Sequence, residues 1–495
     1  MSGTASVFDT RVPPAMMLIG GEWIAAKSGG TYERRSPATD EIVAYFADAD
    51  IDDIDEAISR ARSAFDAGAW RQLPALAKQH FLASAAQQIR LASDDLALIM
   101  ALEGGKTLRD GAAETAQLAS FFDYAAAAVR HIGGETITNE VETAIGFTMH
   151  EPVGVVTAIT PYNFPVWTFG AKVAMALAAG CSIVLKPSPF TSGSALAIAK
   201  ILHDLGLPAG VLNVVTTESI EASRRLTESP GVDAVSFTGS SAVGADIVRA
   251  SASTFKRLTL ELGGKSPNIV FDDADLDKFV ESFFASIFFN AGQVCVAGSL
   301  VLVADEIYDT LVERLVAVAE ATTVGNPVDA KTTMGPLISS RQRDLVAGFV
   351  DRAVTDGNQL LTGGRAVDIG SGSGWFFEPT IIAADDPSSE ICQEEVFGPV
   401  ATILRFSTEQ EALSIANGTA FGLKAAVWTR DASRLLRMAK ALRAGSVMGN
   451  AYRPPVPQAR LPFGGFGQSG LGRELGSEGL LGGFMEVKTL MLDIS

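Results

Sequence analysis

Cys295 closes the stretch Phe288-Phe289-Asn290-Ala291-Gly292-Gln293-Val294-Cys295, set among small and apolar residues. A thiolate is the strongest nucleophile a side chain offers near neutral pH, and glycine at 292 lets the backbone come close to a reacting carbonyl. Alone this says little, because free cysteines are most often buried and inert. A second stretch, Leu260-Glu261-Leu262-Gly263-Gly264-Lys265-Ser266-Pro267-Asn268, adds a carboxylate and a glycine pair at the end of a predicted strand. Thiol and carboxylate together suit nucleophilic chemistry at a carbonyl, with the carboxylate acting as a base on water.

Other chemistries have weaker footing. The four histidines, His80, His131, His150 and His203, lie outside these stretches, which disfavours a cysteine–histidine hydrolase. No cluster has metal-ligand spacing, so no metal is expected. Cys181 precedes an apolar strand and Cys392 lies near acids that raise a thiol's pKa, so both read as bystanders.

The elements that must position Cys295 and Glu261 are legible from periodicity. Met16 to Trp23 reads as a strand turning at Gly20-Gly21. From Asp52 the apolar residues Ile54, Ala57, Ile58, Ala61, Ala64 and Phe65 fall at helical spacing, with acids in the first turn. Helical patterns recur from Leu76 to Leu102 and from Asp110 to Val129. The period then changes, and Glu135 to His150 predicts paired strands, as does part of Glu486 to Ile494. Short apolar runs at 153–160, 182–186, 211–215, 234–238 and 258–262 alternate with helical stretches, which indicates βαβ units and a buried parallel sheet. From Gly264 to about Gly464 the alternation continues, punctuated at 370–374, as a second α/β domain carrying Cys295.

At 495 residues the chain exceeds one hydrophobic core, so two or three domains are expected. Hydrophobic residues at 47% and charged residues at 19% place it among folded globular proteins. The formal net charge of −18, without a basic stripe, argues against nucleic acid or an anionic membrane as partner. Three cysteines make no disulfide framework, and no basic leader or long apolar run is present, so a cytoplasmic enzyme is expected.

The two chemical stretches together resemble the aldehyde dehydrogenase superfamily, in which a Glu-Leu-Gly-Gly-Lys run precedes a Gly-Gln-x-Cys segment by the interval seen here. The resemblance runs from Gly21-Glu22-Trp23 to Glu486-Val487-Lys488-Thr489. It implies a Rossmann-type cofactor domain over 1–129 and 153–263, a catalytic domain over 264–464, and a β arm over 130–152 and 479–495 that joins subunits into a homodimer or homotetramer. It also assigns roles. Cys295 is the nucleophile, Glu261 the base for hydrolysis, and Asn163, in Thr160-Pro161-Tyr162-Asn163, an oxyanion donor with the backbone N–H of Cys295. Members that pass the acyl group to coenzyme A typically lack this glutamate, so a free acid is the expected product. A catalytically silent scaffold is the reading from a different class, and the presence of all three residues disfavours it.

The cofactor residues follow in the same way. Ser236-Phe237-Thr238-Gly239-Ser240-Ser241 runs from strand to helix, where Gly239 and Ser240 face an anion-binding helix start. By resemblance Lys186 bonds the adenosine ribose, Glu395 holds the nicotinamide ribose and Phe397 packs near the ring, while Thr160, Tyr162, Ser188 and Leu262 complete the cofactor-binding set. Two departures concern the adenine end: Pro189 stands where an acid often binds the ribose hydroxyls, and Val215-Thr216-Thr217-Glu218 lacks the usual glycine. NAD is therefore the first choice and NADP stays open.

For the substrate tunnel, the family alignment implies Phe164, Trp167, Ala171, Phe289, Val294 and Val296. Apolar walls of this kind suit an aromatic or medium-length aliphatic aldehyde. The entrance segment Tyr452-Arg453-Pro454-Pro455-Val456-Pro457-Gln458-Ala459-Arg460 carries two arginines. If either faced the tunnel, a carboxylated aldehyde such as a semialdehyde is the alternative.

Overall fold

Short runs of Val, Ile and Leu buried on both faces form the middle of an eight-stranded sheet in a computed structural model describing residues 4–138, 143–370, 373–453 and 458–494. The strand order is Glu22–Ile24, Met17–Ile19, Leu212–Val214, Ser182–Lys186, Val155–Ile159, Ala234–Thr238, Arg257–Glu261 and Gly470–Leu471. The five central strands are parallel. The chain leaves Val155–Ile159 in one direction and returns on its other side with Ala234–Thr238, so the strand order reverses between these two, where such sheets open a binding crevice.

The helix Ile51–Ala67 covers this sheet. Asp50 caps it by accepting the N–H groups of Asp52 and Asp53, and Gly68 ends it at φ +77°. The run expected from Leu76 to Leu102 is two helices, Ala75–Leu91 and Ser93–Gly104, broken at Ala92 where Asp94 and Asp95 supply the acidic first turn of the second. Together with Leu108–Ala128 they bury one continuous apolar face against the sheet's helices.

The second sheet orders Gln359–Thr362, Thr380–Ala383, Val400–Phe406, Leu300–Ala304, Pro267–Val270, Lys424–Trp428 and Ser446–Gly449. All pairings are parallel except the first. Glu261 ends a strand of the first sheet and Pro267 begins one of the second, so the C-terminal edge of one sheet meets the N-terminal edge of the other.

Met485–Asp493 pairs antiparallel with Ala144–Pro152 along its whole length, and Thr136–Ile137 adds a short third strand. These are the strands expected near both ends of the arm; positions 139–142 lie outside the described residues, as do Ser371 and Gly372 of the glycine-serine stretch and Pro454 to Pro457 of the entrance segment. The short strand Gly470–Leu471 extends the first sheet beyond the segments expected to build it.

Candidate active site

The helix Leu276–Ile287 ends at Phe288, and the next turn is unusual: Asn290, Ala291 and Gly292 are left-handed in succession, at φ 53°, 54° and 70°. For a non-glycine residue this costs about 1–3 kcal/mol and persists only when neighbours enforce it. They do. Asn290 Nδ2 donates to the Asn163 carbonyl at 3.1 Å, Gln293 Nε2 to the Asn290 carbonyl at 3.1 Å, and the Ile338 N–H to Gln293 Oε1 at 3.0 Å. Glycine at 292 is required by this packing, since a Cβ there would collide with the carbonyl of Gly398.

Glu261 lies buried at the end of its strand with neither carboxylate oxygen hydrogen-bonded. The next residues explain the glycine pair. A side chain at Gly263 would strike the Glu395 carboxylate, and a Cβ at Gly264 would lie 2.5 Å from the Cys295 carbonyl oxygen. Burial, then the charge of Glu474, holds Glu261 well above the usual carboxylate range, against the pull of Lys172 and Arg473. Burial also pushes the Cys295 thiol up to about 12, helped by Glu395 and Glu261 and opposed by the backbone N–H groups of Val296 and Cys295. Cys181 is likewise pushed up to about 12 by burial. Cys392 is raised mainly by burial rather than by neighbouring acids.

Asn163 is buried and donates one N–H of its amide to the Gln293 carbonyl at 2.8 Å, which aims the group along the cysteine loop. Its own carbonyl accepts from Lys106 Nζ at 2.9 Å. Lys106 in turn forms a buried ion pair with Glu114, whose other oxygen accepts the N–H groups of Val166 and Trp167 at 2.9 and 2.8 Å. Lys106 and Glu114 thus fix the Asn163 loop, although neither stood out in the sequence: Lys106 lies in the short gap between two helices and Glu114 on a helix of ordinary spacing.

These groups surround an inner chamber of about 120 Å3 in which Cys295, Glu261, Asn163 and Thr238 meet walls of Phe164, Trp167, Val294, Val296 and Phe463. It adjoins an outer chamber of about 390 Å3 that shares Phe164, Val294, Val296 and Phe463 and adds Phe289, Lys424, Tyr452 and Arg453. Five of the six expected tunnel residues therefore line one chamber or both. Ala171 lines neither and is fully buried in the core, on a π-helical turn between Phe169 and Met175 that rotates it inward. Of the two entrance arginines, Arg453 faces the outer chamber and Arg460 does not. Phe463 and Lys424 are additions that only the folded chain brings to the walls.

On the other side of Glu261, polar groups without partners gather at the strand ends of the first sheet. The hydroxyls of Thr160 and Thr238 are buried and unbonded, one at each side of the point where strand order reverses. Lys186 is buried with only its neighbouring Pro187 carbonyl, at 3.4 Å, and burial pushes it down to about 8. Ser188 caps the turn that follows by accepting the Phe190 N–H. Ser240 caps the helix Ser241–Ser251, behind Gly239. Glu395 accepts the Gly264 N–H at 3.1 Å and is raised to about 7 by burial. Phe397 is left-handed and meets Tyr162 edge-on at 5.9 Å between ring centroids. Leu262 gives its N–H to the Ser469 carbonyl at 3.0 Å. Among the described residues no group of acids, cysteines and histidines could hold a metal, and no helix is long and apolar enough to cross a membrane.

Residues 23–490 match the model of the Aldehyde dehydrogenase family. The chain belongs to that family. It is 40% identical to the betaine aldehyde dehydrogenase of Bacillus subtilis, over 94% of each chain, and 37% identical to aldehyde dehydrogenase family 2 member C4 of Arabidopsis thaliana, over 100% of this chain and 98% of the relative. A crystal structure of betaine aldehyde dehydrogenase from Staphylococcus aureus in complex with NAD+ superposes with a TM-score of 0.96 at 36% identity, covering 100% and 97% of the two chains. An aldehyde dehydrogenase fold with a cofactor-type parallel sheet is thus the architecture of this chain.

Proposed function

We propose that this aldehyde dehydrogenase oxidises an aromatic or medium-length aliphatic aldehyde to the free acid with NAD, through a thioester on Cys295. The observation that carries the reading is the convergence of Cys295, Asn163 and Glu261 on one inner chamber, beside strand-end polar groups that include the unbonded hydroxyls of Thr160 and Thr238.

Those groups fit a dinucleotide. The helix start at Gly239 and Ser240 suits the pyrophosphate, Lys186 and Ser188 the adenosine ribose, Glu395 the nicotinamide ribose, and Thr160, Thr238, Tyr162, Leu262 and Phe397 the cleft between. Bound there, the oxidised nicotinamide supplies the acceptor for the hydride lost from the substrate carbon.

The protein's own groups do the rest. Cys295 gives its proton to the Glu261 carboxylate in the same chamber as its sulfur bonds the carbonyl carbon, and that proton passes on to water before hydrolysis begins; the two backbone N–H groups directed at sulfur offset part of the burial that raises the thiol. The carbonyl oxygen becomes an oxyanion, held by the second N–H of the Asn163 amide and by the Cys295 backbone. After hydride loss, Glu261 takes a proton from water as its oxygen attacks the thioester carbon; the carbon–sulfur bond breaks and the acid departs. A free, unbonded carboxylate in a dry chamber suits that task, because burial has already raised its basicity.

The relatives named for betaine aldehyde invite comparison with the outer walls. Aromatic faces recognise quaternary ammonium groups. Here three of those faces already carry cations: Lys106 lies 4.1 Å from the Phe164 ring centre, Lys424 4.2 Å from Tyr452, and Arg453 4.9 Å from Phe289. A trimethylammonium group would meet like charge, which supports an uncharged or anionic aldehyde instead. The exposed nine-residue strand Met485–Asp493, with a free edge and Met491 83% exposed, supports the subunit-joining arm of a homodimer or homotetramer.

The test is formation of reduced cofactor by purified protein, comparing NAD with NADP across aromatic, aliphatic and trimethylammonium aldehydes, with Cys295→Ala as control. Turnover with NAD that vanishes in the variant is expected. Cofactor binding without turnover of any aldehyde would overturn the reading.

A further inference from the structure

The outer chamber holds two acids and two bases, and their pairing is lopsided. Glu114 is answered by Lys106 and two backbone N–H groups, and Asp110 by Arg109 at 3.1 Å. Neither Lys424 nor Arg453 has a carboxylate partner among the described residues. Lys424 is buried, and apart from the aromatic face of Tyr452 its ammonium has only the Tyr452 carbonyl, at 2.5 Å. Arg453, the next residue, lies over Phe289 on the same wall.

A buried ammonium without a carboxylate costs free energy that one carbonyl and one aromatic face return only in part. Burial pushes Lys424 down to about 7, with Arg453 adding to the fall and Cys295 opposing it. A carboxylate arriving in the chamber would reverse that shift and complete the hydrogen bonds of both side chains. Arg and Lys set side by side form the ordinary recognition pair for such a group.

We infer that Lys424 and Arg453 form an anion anchor in the outer chamber, selecting aldehydes that carry a carboxylate at the end remote from the carbonyl. This rests on the proposed aldehyde oxidation and specifies its substrate class: an oxo acid whose chain or ring spans from Cys295 to the Tyr452–Arg453 wall, yielding a dicarboxylic acid. The anchor touches only the non-reacting end, so its effect falls on binding. Phe164 and Phe289, stacked at 6.0 Å between centroids, would flank the intervening body.

The experiment compares a carboxylated aldehyde with its methyl ester, in aromatic (4-carboxybenzaldehyde) and aliphatic (5-oxopentanoate) pairs, in wild type, Arg453→Gln and Lys424→Met. The wild type is expected to favour the free carboxylate in kcat/KM by about 10- to 100-fold, the scale of a charge-assisted hydrogen bond. Each substitution should lower that ratio by raising KM for the carboxylate, with kcat for it little changed. Arg453 is exposed, so its variant reports even if Lys424→Met folds poorly. Equal kcat/KM for acid and ester in the wild type, or a ratio unmoved by Arg453→Gln, overturns the anchor while leaving aldehyde oxidation standing. No turnover of any of the four aldehydes overturns both.

Discussion

The Cα of Gly264 faces the carbonyl of Cys295 so closely that a Cβ would stand 2.5 Å from that oxygen. The glycine pair after Glu261 is therefore a spacer. It lets the base-bearing strand end and the nucleophile loop lie backbone against backbone, with Glu395 held on the other side by the Gly264 N–H. Gly264→Ala should push the cysteine loop by a fraction of an ångström to an ångström. Misplacement on that scale costs about 100-fold in rate. Steady-state kinetics should show that loss, with NAD affinity, read by fluorescence titration, changing far less.

Asn163→Ala removes the inner-chamber amide that is tied to the cysteine loop through the Gln293 carbonyl. A lost oxyanion donor costs about 100- to 1,000-fold in kcat, with KM little altered. Kinetics on any accepted aldehyde check this, and an unchanged kcat would remove Asn163 from the mechanism.

Glu261→Gln separates the two halves of the reaction. Rapid-quench mass spectrometry should show an acyl adduct on Cys295 persisting after one burst of reduced cofactor. The same residue sets a pH dependence. Its carboxyl is raised well above the usual range, chiefly by burial and then by Glu474, so the basic form appears only as pH climbs toward that raised value. The rate of acyl release in the wild type should rise with pH on that limb and be flat in the variant.

Stability has the opposite sign. A carboxyl raised on folding stabilises the fold below its unfolded pKa, and that contribution is lost as pH rises through the folded pKa. Glu261→Gln should therefore gain in melting temperature relative to wild type more at pH 8 than at pH 5. Differential scanning calorimetry at the two values checks it, and an equal gap would place the ionisation elsewhere.

Glu114→Ala leaves Lys106 charged, buried and unpaired. Breaking a buried pair in this way costs about 3–5 kcal/mol. Because Lys106 also holds the Asn163 carbonyl, kcat should fall with stability. Denaturant unfolding and kinetics on the same preparation test the coupling.

Much of this was legible in the chain. Strands at 155–159, 182–186 and 234–238 are short, mostly apolar runs because both faces are covered, and such runs are hard to mistake. Cys295 and Glu261 were marked by glycines that close contacts require: Gly264 against the Cys295 carbonyl, Gly263 against the Glu395 carboxylate and Gly292 against the Gly398 carbonyl. Contacts between remote helical positions were not legible. Glu114 looks like a surface acid in a helix, yet it is buried because the Pro165–Phe169 helix presents N–H groups to it. Lys424 opens a strand that reads as core, and nothing local tells that Tyr452 will turn its carbonyl toward it. Ala171 fails for the converse reason: one extra residue in a π-helical turn shifts which side chains face the cleft, and sequence periodicity does not register it.

The left-handed turn at 290–292 is enforced by Asn163, Ile338 and Gly398, which come from three widely separated parts of the chain. Closing contacts of such sequence separation costs loop entropy, so they hold only together with the rest of the fold. The nucleophile consequently acquires its aim only on completion of the molecule. A chain half unfolded by heat carries its sulfhydryl in a turn that Asn163, Ile338 and Gly398 no longer hold.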